Sequence, residues 1–401
     1  MKKQKVDDLA MFGGKPLFDS WRPFGQLALP EEEKFFAFAR SIYACKRITN
    51  NGPLVRELEH RLAVMHQVEH CIAFANACLA LILLMEIIAN NRQGEVIMPA
   101  FTYAGLPHLA QWAGQRPCFC DVDWKSHTLD PAKVEKAICK DTTAILAVHN
   151  VNSPCRIDEL EKLSNSREIP LIFDSVHGIH CTYRGHPIGA FGRAEVFSLH
   201  ATKLLNGFEG GYITTNDNHL ANTLRLKRHL GINGETEVSF LGLNAKLNEI
   251  HAASALTCLE DLPRVIDRNH QRLLAYHEHF QGIPGLSFVP YQDENERMNY
   301  EFALLVVDTS WPIKRDMIVE LLRAENALAR PYYSPPLHLS AHCPDFITPP
   351  ALPVTEQLSR TIINMPVGEL LNLEDIAQLG EFFRFLYKDA YAITERLNQT
   401  I

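Results

Sequence analysis

Residues 197–211 read Phe197-Ser198-Leu199-His200-Ala201-Thr202-Lys203-Leu204-Leu205-Asn206-Gly207-Phe208-Glu209-Gly210-Gly211. The stretch begins with apolar residues, places one lysine among small and polar residues, and ends in a Gly-Gly turn. Residues 212–215 follow as a predicted strand, because β-branched and aromatic residues favour that conformation. A lysine held between buried elements is desolvated, which favours the neutral, nucleophilic amine. We therefore single out Lys203, although a lone lysine is most often a solvated surface residue.

A second stretch, upstream of the first, gives that lysine a chemical partner. The apolar run Leu171-Ile172-Phe173 ends in the carboxylate of Asp174, and Ser175-Val176-His177-Gly178 follows. A buried lysine and an aspartate at a strand end form the pair that pyridoxal phosphate chemistry requires. The lysine holds the cofactor's aldehyde, and the aspartate keeps the pyridine nitrogen protonated.

Composition limits the classes of protein that remain. The chain has 401 residues, 46% hydrophobic residues and a net charge of -8, so a nucleic-acid binder is disfavoured. The ten cysteines are scattered without a CxxC pair, which indicates a reduced, cytoplasmic protein and no metal site. The most apolar window, residues 77–89, contains Glu86 and is shorter than the roughly 20 residues that span a bilayer. We expect no membrane partner.

Strands and helices alternate over the first half of the chain. Strands are predicted at residues 70–74, 95–99, 117–123, 143–148 and 170–173, with helices between them, one of which is expected to open at residues 100–104. This pattern predicts an α/β protein with a mainly parallel sheet, whose ligands bind at the carboxyl ends of the strands. Asp174, the pair Ala77-Cys78 and Tyr103 all follow predicted strand ends. The helix that opens after Asn76 is suited to a phosphate, but this segment alone favours an ordinary asparagine cap, because it has no glycine-rich fingerprint.

Three regions are predicted along the chain. Residues 1–30 form an irregular arm, residues 31–260 a large domain, and residues 261–401 a smaller α+β domain. The long helical region through Phe280 is predicted to be kinked or broken at Pro263. The proline-rich segment from Arg330 to His338 is predicted to be a loop.

Several motifs in order resemble the DegT/DnrJ/StrS sugar aminotransferases, which are pyridoxal phosphate (PLP) enzymes of the aspartate-aminotransferase fold (PLP fold type I). The resemblance covers nearly the whole chain. It implies a seven-stranded, mainly parallel sheet with helices on both faces. The motifs are Asn51-Gly52-Pro53, Asn76-Ala77-Cys78-Leu79-Ala80-Leu81, Met98-Pro99-Ala100-Phe101-Thr102-Tyr103, Phe173-Asp174-Ser175-Val176-His177, the 197–211 stretch and Gly242-Leu243-Asn244-Ala245-Lys246-Leu247.

The resemblance implies catalytic roles for three residues. Lys203 binds the aldehyde covalently and then moves a proton during the reaction. Asp174 pairs with the pyridine nitrogen, and His177 lies beside the cofactor's ring oxygen. Tyr103 stacks on one face of the ring. The alternatives are a satisfied core histidine for His177 and a core aromatic residue for Tyr103.

The resemblance also implies a phosphate site and a dimer. Ser198 and the backbone of Ala77 and Cys78 would hold the phosphate. Asn244 would reach the phosphate in the neighbouring subunit, which makes a homodimer with shared active sites the expected assembly. Cys78 replaces the family's usual Thr or Ser, Ala77 its Gly, and Ser175 its Ala. The segment His149-Asn150-Val151-Asn152-Ser153-Pro154 lacks the usual glycine, which allows an unusual acceptor.

The implied reaction moves an amino group from L-glutamate to a nucleotide-linked keto-deoxysugar. The form H-A-T-K-x-x-N-x-x-E-G-G resembles the branch that acts at C4 of dTDP-4-keto-6-deoxyglucose. Alternatives are amination at C3, a keto-cyclitol acceptor such as scyllo-inosose, and a PLP-binding regulator, although no DNA-binding module is readable. A 3-dehydratase of the same fold is a further alternative. Those relatives carry histidine at the position of Lys203, so the lysine found here argues against it. Arg184, Lys246 and Arg330 are candidates for contacting the substrate's phosphates.

Overall fold

The computed structural model describes residues 3–90, 92–150, 153–291, 295–340 and 351–400. Seven strands form the main sheet: β1 (His70–Phe74), β2 (Glu95–Pro99), β3 (Arg116–Cys120), β4 (Thr142–Val148), β5 (Leu171–Asp174), β6 (Ala194–Ser198) and β7 (Gly211–Thr215). Four strands form a second sheet: β8 (Leu286–Phe288), β9 (Leu304–Val307), β10 (Arg330–Pro331) and β11 (Ile362–Asn364). Two-residue ladders pair Arg22–Pro23 with Ala327–Leu328, Thr182–Tyr183 with His186–Pro187, and Ile232–Asn233 with Glu237–Val238.

The α-helices of the described residues are α1 (Glu32–Cys45), α2 (Pro53–His66), α3 (Ala77–Ala89), α4 (Leu106–Trp112), α5 (Pro131–Ala137), α6 (Ile157–Arg167), α7 (Asn218–Lys227), α8 (Glu249–Phe280), α9 (Arg315–Ala324), α10 (Pro353–Thr361), α11 (Leu373–Lys388) and α12 (Ala390–Thr400). Short 3₁₀ turns cover Val6–Asp8, Ala10–Phe12 and Leu337–Leu339. Within the described ranges, no helix is long and apolar enough to cross a membrane.

The main sheet has the predicted, mainly parallel architecture. Its strand order is β1-β7-β6-β5-β4-β2-β3, and only β7 runs antiparallel to its neighbours. Alternate residues of each strand point to opposite faces of the sheet. One face packs against α2, α6 and α8, and the other against α3, α4 and α7. The α/β fold with helices on both faces is therefore confirmed.

A buried carboxylate explains why Gly52-Pro53 begins α2. The Glu249 side chain, fully buried at the start of α8, accepts hydrogen bonds from the backbone amides of Leu54 (2.8 Å) and Val55 (3.0 Å). These are first-turn amides of α2 that lack partners within their own helix. A Cβ on Gly52 would lie 2.5 Å from the Glu249 carboxyl carbon, so only glycine fits there. The motif thus connects the N-terminus of α2 to the N-terminus of α8.

The N-terminal arm packs on the second sheet's side of the molecule. Leu9, Leu17 and Phe18 belong to the same apolar core as α9 and α11. The buried Glu325 carboxylate accepts hydrogen bonds from the amides of Ala10 (2.8 Å) and Leu17 (2.6 Å). The arm is therefore held by the C-terminal part of the chain, which supplies the core that the arm lacks.

Two expectations about the C-terminal half were wrong in detail. Helix α8 runs unbroken through the exposed Pro263, so the predicted break is wrong, and the predicted kink stays a prediction. The segment from Arg330 to His338 is not wholly a loop, because Arg330–Pro331 pairs with β11 and residues 337–339 form a 3₁₀ turn. The domain division at residues 260 and 261 lies inside α8 and stays a prediction.

Candidate active site

The sheet topology brings the predicted site residues to one edge. Gly211 at the start of β7 pairs with Phe74 on one side and with Ser198 on the other. Asp174 ends the neighbouring parallel strand β5 and pairs with Val196. Because β7 is antiparallel, its first residue lies at the carboxyl edge of the parallel strands. The loops that follow β1, β5 and β6 therefore leave the sheet at a common place, as in other open α/β sheets.

Asp174 is a buried carboxylate without an ion-pair partner among the described residues. It is 4% exposed, and its Oδ1 accepts a hydrogen bond from the Val176 amide at 3.3 Å. Burial raises its pKa, although His177, the Val176 amide and Lys203 oppose that effect. No lysine or arginine nitrogen of the described residues lies within ion-pair distance of Asp174. Its charge is therefore available to a cationic ligand.

Lys203 lies in the tight turn that follows β6. The turn is closed by a hydrogen bond from the Lys203 amide to the His200 carbonyl at 2.8 Å. Its side chain is half-buried, and its Nζ makes no hydrogen bond or ion pair to any residue that the structure describes. Lys203 lowers the pKa of Asp174 electrostatically, so the amine lies within electrostatic range of that carboxylate. An unpaired amine in that position is free to react with an aldehyde.

The N-terminal arm supports the lysine turn from outside. The Gln26 amide donates to the Thr202 carbonyl at 3.1 Å. A Cβ on Gly25 would lie 2.9 Å from the Thr202 Cβ, so the arm approaches the turn as closely as a glycine allows. The Asn206 side chain, also in the turn, donates to the Ala28 carbonyl at 2.8 Å. The position of Lys203 thus depends on residues of the N-terminal arm, far away in the sequence.

The start of α3 is the candidate phosphate cradle. Asn76 caps the helix by accepting from the Leu79 amide at 2.8 Å, so the predicted asparagine cap is present. The amides of Ala77 and Cys78 have no hydrogen-bond partner among the described residues, and the first amides of a helix attract anions. A Cβ on Gly211 would lie 2.4 Å from the Ala77 nitrogen, so Gly211 is what allows α3 to begin here.

Cys78 and Tyr103 connect this cradle to the rest of the site. Burial, Asp174 and Glu209 raise the pKa of the Cys78 thiol, in that order of importance. Burial and then Cys78 raise the pKa of Tyr103. The Tyr103 side chain is 57% exposed, so the core-aromatic alternative is wrong. The helix expected to open at residues 100–104 begins instead at Leu106.

His177 is held by a residue that the sequence did not single out. Its Nδ1 lies 3.0 Å from Oε2 of Glu301, and its ring packs edge-on against Phe302 at 5.2 Å. Burial around Tyr333 raises the pKa of that phenol, and Asp174 and Glu301 both contribute to the rise. Tyr333 therefore lies near both carboxylates. Sequence reasoning missed Glu301 and Tyr333, since Glu301 lies outside every motif and Tyr333 lies in the segment predicted to be a loop, both far along the chain.

The remaining candidates are distributed around this centre. The Ser198 hydroxyl accepts a hydrogen bond from the His200 amide at 3.2 Å and ends β6 beside Gly211. Asn244 is exposed, and its side-chain oxygen accepts from Lys246 Nζ at 2.7 Å. The adjacent Ala245 carbonyl accepts from the Ala75 amide at 2.7 Å, so the backbone at residue 245 lies next to the end of β1.

The three cations suggested for the substrate's phosphates have other contacts. Arg184 pairs with Asp158 at 2.5 Å, and the Arg330 guanidinium lies 3.8 Å from the centre of the Phe24 ring. Lys246 is bonded to Asn244. Val151 and Asn152, within the segment that lacks the family glycine, lie outside the described residues.

One cluster of potential metal ligands lies elsewhere. Atoms of Glu95, Cys139 and Asp141 are within 4.8 Å of one another, the single such group among the described ranges. Glu95 already pairs with Arg116 at 2.9 Å, at the edge of the sheet opposite the candidate site. The cluster therefore lies outside the candidate active site.

The residues present fit pyridoxal 5′-phosphate. An unpaired lysine amine can bind its aldehyde, and a buried carboxylate without an ion-pair partner can accept a hydrogen bond from its protonated ring nitrogen. Two free amides at the start of α3 can bind its phosphate. These three features lie at one edge of one sheet, which is where a cofactor of this size would contact them together.

Comparison with known proteins agrees with this geometry. The chain is 28% identical over 365 residues to the Escherichia coli dTDP-4-amino-4,6-dideoxy-D-glucose transaminase, covering 90% of this chain and 97% of that protein. The crystal structure of DesI in the presence of its TDP-sugar product superposes with a TM-score of 0.92 at 35% identity, covering 98% of this chain and 100% of DesI. The PLP form of the "putative sugar aminotransferase Spr1654" of Streptococcus pneumoniae shares the fold at 22% identity with a TM-score of 0.83, covering 92% and 99%.

A family model describes most of the chain. The model of the DegT/DnrJ/EryC1/StrS aminotransferase family matches residues 30–384. Aminotransferases of this family depend on PLP, so PLP is the cofactor of this enzyme. Residues 30–384 include the lysine turn, the Asp174 strand end and the α3 cradle. The chain therefore belongs to the DegT/DnrJ/EryC1/StrS aminotransferase family.

Proposed function

We propose that this enzyme transfers an amino group from L-glutamate to C4 of dTDP-4-keto-6-deoxyglucose. The observation that carries the proposal is an unpaired Lys203 amine that acts electrostatically on the buried Asp174 carboxylate, which has no ion-pair partner among the described residues. The names of the similar E. coli transaminase and of the DesI complex support a nucleotide-linked deoxysugar as the acceptor. L-Glutamate as donor rests on the family resemblance.

Bound PLP supplies an aldehyde and an electron sink, which stabilises negative charge at the carbon that loses its proton. The roles of the chain's own residues follow from their positions. We propose that Lys203 Nζ binds the aldehyde and later moves a proton, and that Asp174 holds the proton on the ring nitrogen. His177 would contact the ring oxygen, and the exposed Tyr103 would cover one face of the ring.

The phosphate is assigned to the start of α3. The amides of Ala77 and Cys78 and the hydroxyl of Ser198 would donate hydrogen bonds to it. A thiol at position 78 is a weaker donor than the hydroxyl that it replaces, so the backbone carries more of this contact. The macrodipole of α3 adds a further attraction for the phosphate.

The test is an amine-transfer assay with labelled donor. Purified enzyme is incubated with PLP, L-glutamate labelled with ¹⁵N and dTDP-4-keto-6-deoxyglucose, and the sugar product is analysed by mass spectrometry. We expect one ¹⁵N atom in the sugar and one equivalent of 2-oxoglutarate. The Lys203→Arg variant, which retains the charge but not the reactive amine, is the matched control and should give neither product.

Competing acceptors are tested in the same assay. Incorporation of ¹⁵N into a 3-keto sugar or scyllo-inosose, but not into the 4-keto sugar, would contradict the C4 assignment. Loss of a sugar hydroxyl without ¹⁵N incorporation would indicate a dehydratase. A cofactor that binds but reacts with no amino donor would favour the regulatory alternative.

We also propose a homodimer with shared active sites, in which Asn244 reaches the partner's phosphate. The surface next to Asn248 supports this assembly, because Tyr43 (85% exposed), Ile48 (67%) and Ile250 (39%) form an apolar groove there. Light scattering should give twice the mass of one chain. Tyr43→Asp, which places a charge in that groove, should shift the protein toward monomer, and a monomeric wild type would refute the proposal.

A reducing, cytoplasmic location is the remaining part of the proposal. Nine cysteines lie in the described part of the chain, and all nine are free thiols. Thiols persist in reducing compartments and are oxidised elsewhere. Fractionation of the producing cell, with the enzyme detected by its transferase activity, tests this assignment.

A further inference from the structure

Glu301 is a buried carboxylate that the proposed reaction does not use. It is 1% exposed, its Oε2 lies 3.0 Å from His177 Nδ1, and its Oε1 has no hydrogen-bond partner among the described residues. A buried charge is unfavourable unless it is well paired. With a single hydrogen-bond partner, the Glu301 carboxylate is only partly compensated for its burial, which is typical of a residue kept for function.

The backbone around Glu301 is fixed by side chains on both sides. The Asn299 side chain accepts from the Glu301 amide at 3.1 Å and donates to the His177 carbonyl at 2.8 Å and the Ile179 carbonyl at 2.9 Å. The Gln26 side chain donates to the Glu301 carbonyl at 2.5 Å. Residues 299–301 and 177–179 thus form one rigid unit, which leaves the Glu301–His177 distance little freedom.

The pairing decides which nitrogen of His177 carries a proton. An ionised carboxylate can only accept hydrogen bonds, so Nδ1 of His177 must be the donor to Glu301. The Phe302 ring packs edge-on against the imidazole at 5.2 Å and restricts its rotation. Nε2 then remains as the ring nitrogen that can meet a ligand.

Other polar groups face this pair. Asp174 lies near His177, and Tyr333 lies near both Asp174 and Glu301. Burial raises the pKa values of Tyr332, Tyr291 and Cys181, and Glu301 contributes to each rise. Among the described residues, however, His177 is the one side chain within hydrogen-bond distance of the Glu301 carboxylate.

We infer that Glu301 is a positioning residue that fixes the Nδ1 proton of His177 and leaves Nε2 to contact the cofactor. The inference rests on the proposed roles of Asp174, His177 and Lys203 around PLP. Glu301 acts through His177 and makes no hydrogen bond or ion pair with Asp174 or Lys203. The C-terminal half of the chain thereby sets the chemistry of a residue in the main sheet's site.

The test reads the His177 tautomer in the apoenzyme by ¹⁵N NMR, with the signal assigned by its loss in His177→Gln. Wild type should show a protonated Nδ1. Glu301→Leu removes the acceptor and should give a mixture in which Nε2 carries the proton. If that variant does not fold, Glu301→Asp decides, because its shorter side chain withdraws the carboxylate from Nδ1 and should give the same mixture.

Cofactor and rate measurements accompany the NMR experiment. A carboxylate that orients a functional imidazole is worth roughly 10- to 100-fold in metal sites, and we expect a loss of kcat of about that size with KM changing less. The control is Glu325→Gln, a buried carboxylate that binds Lys3 and the arm. It should lower stability and leave the His177 signal unchanged.

The outcomes are separable from those of the proposed function. A protonated Nδ1 that persists in both Glu301 variants, or an unchanged kcat, would overturn the inference. Failure of the wild type to aminate a 4-keto sugar would reject the proposed substrate while leaving the tautomer result in force. Failure to bind PLP at all would reject the proposed site.

Discussion

Replacing Gly211 by alanine should weaken PLP binding by displacing the start of α3. The added Cβ would lie 2.4 Å from the nitrogen and 2.7 Å from the Cα of Ala77, and both are backbone atoms that cannot rotate away. Ordinary van der Waals contacts begin at 3.4 Å, so the first turn of α3 must shift. Overpacking of this kind costs roughly 1–3 kcal/mol. If that cost falls on the cradle, the dissociation constant of PLP rises roughly 5- to 150-fold.

The assay is a PLP titration of apoenzyme followed by the absorbance of the bound cofactor. Gly282→Ala serves as the control, since Gly282 has a positive φ of 77° but has open space where its Cβ would be. It should lower stability with unchanged PLP affinity. Wild-type affinity in Gly211→Ala, with the protein folded, would refute the view that this close approach shapes the cradle.

Three further predictions concern charge and stability. Asp174→Asn should lower kcat by on the order of 100-fold. It should not lower the stability of the apoenzyme at pH 7, because burial disfavours the Asp174 charge, and a destabilised apoenzyme in urea unfolding would contradict this. Glu59→Gln should destabilise the fold by about 3–5 kcal/mol, because it removes the ion-pair partner of the buried Arg228; a loss below about 1 kcal/mol in the same assay would refute it. Burial lowers the pKa of His66 to about 4 from 6.5, so the stability it contributes is complete above pH 6.5 and lost as the pH falls toward 4; His66→Gln should reduce that slope in urea midpoints, and an equal slope would show that His66 does not contribute.

The central chemistry was predictable because local patterns determine it. Strands β1 and β2 have the predicted bounds, since alternating and continuous apolar runs mark buried strands directly. Ligands meet the carboxyl ends of parallel strands, and from this rule alone Asp174 and the start of α3 are expected to lie together. Tyr103 also follows the end of a parallel strand, β2, although the helix expected to begin at residues 100–104 begins at Leu106.

The supporting residues were not predictable, because they come from distant parts of the sequence. Glu301 lies 124 residues after His177 in the sequence, and the residues around Glu301 form no motif that indicates a site residue. Gln26 binds the lysine turn through its backbone amide, but it belongs to the N-terminal arm, whose sequence shows no helical or strand periodicity. Pro263 was expected to kink or break α8, and the helix is not broken there, because one proline removes a single hydrogen bond and does not outweigh the packing of a long helix.

The central claim is that Lys203 carries the cofactor, and chemical trapping tests it most directly. Enzyme loaded with PLP is reduced with borohydride, digested and analysed by mass spectrometry. We predict a phosphopyridoxyl group on the peptide that contains Lys203, and none in the Lys203→Arg variant. A label on another lysine, or PLP binding without any reducible link to the protein, would contradict the account.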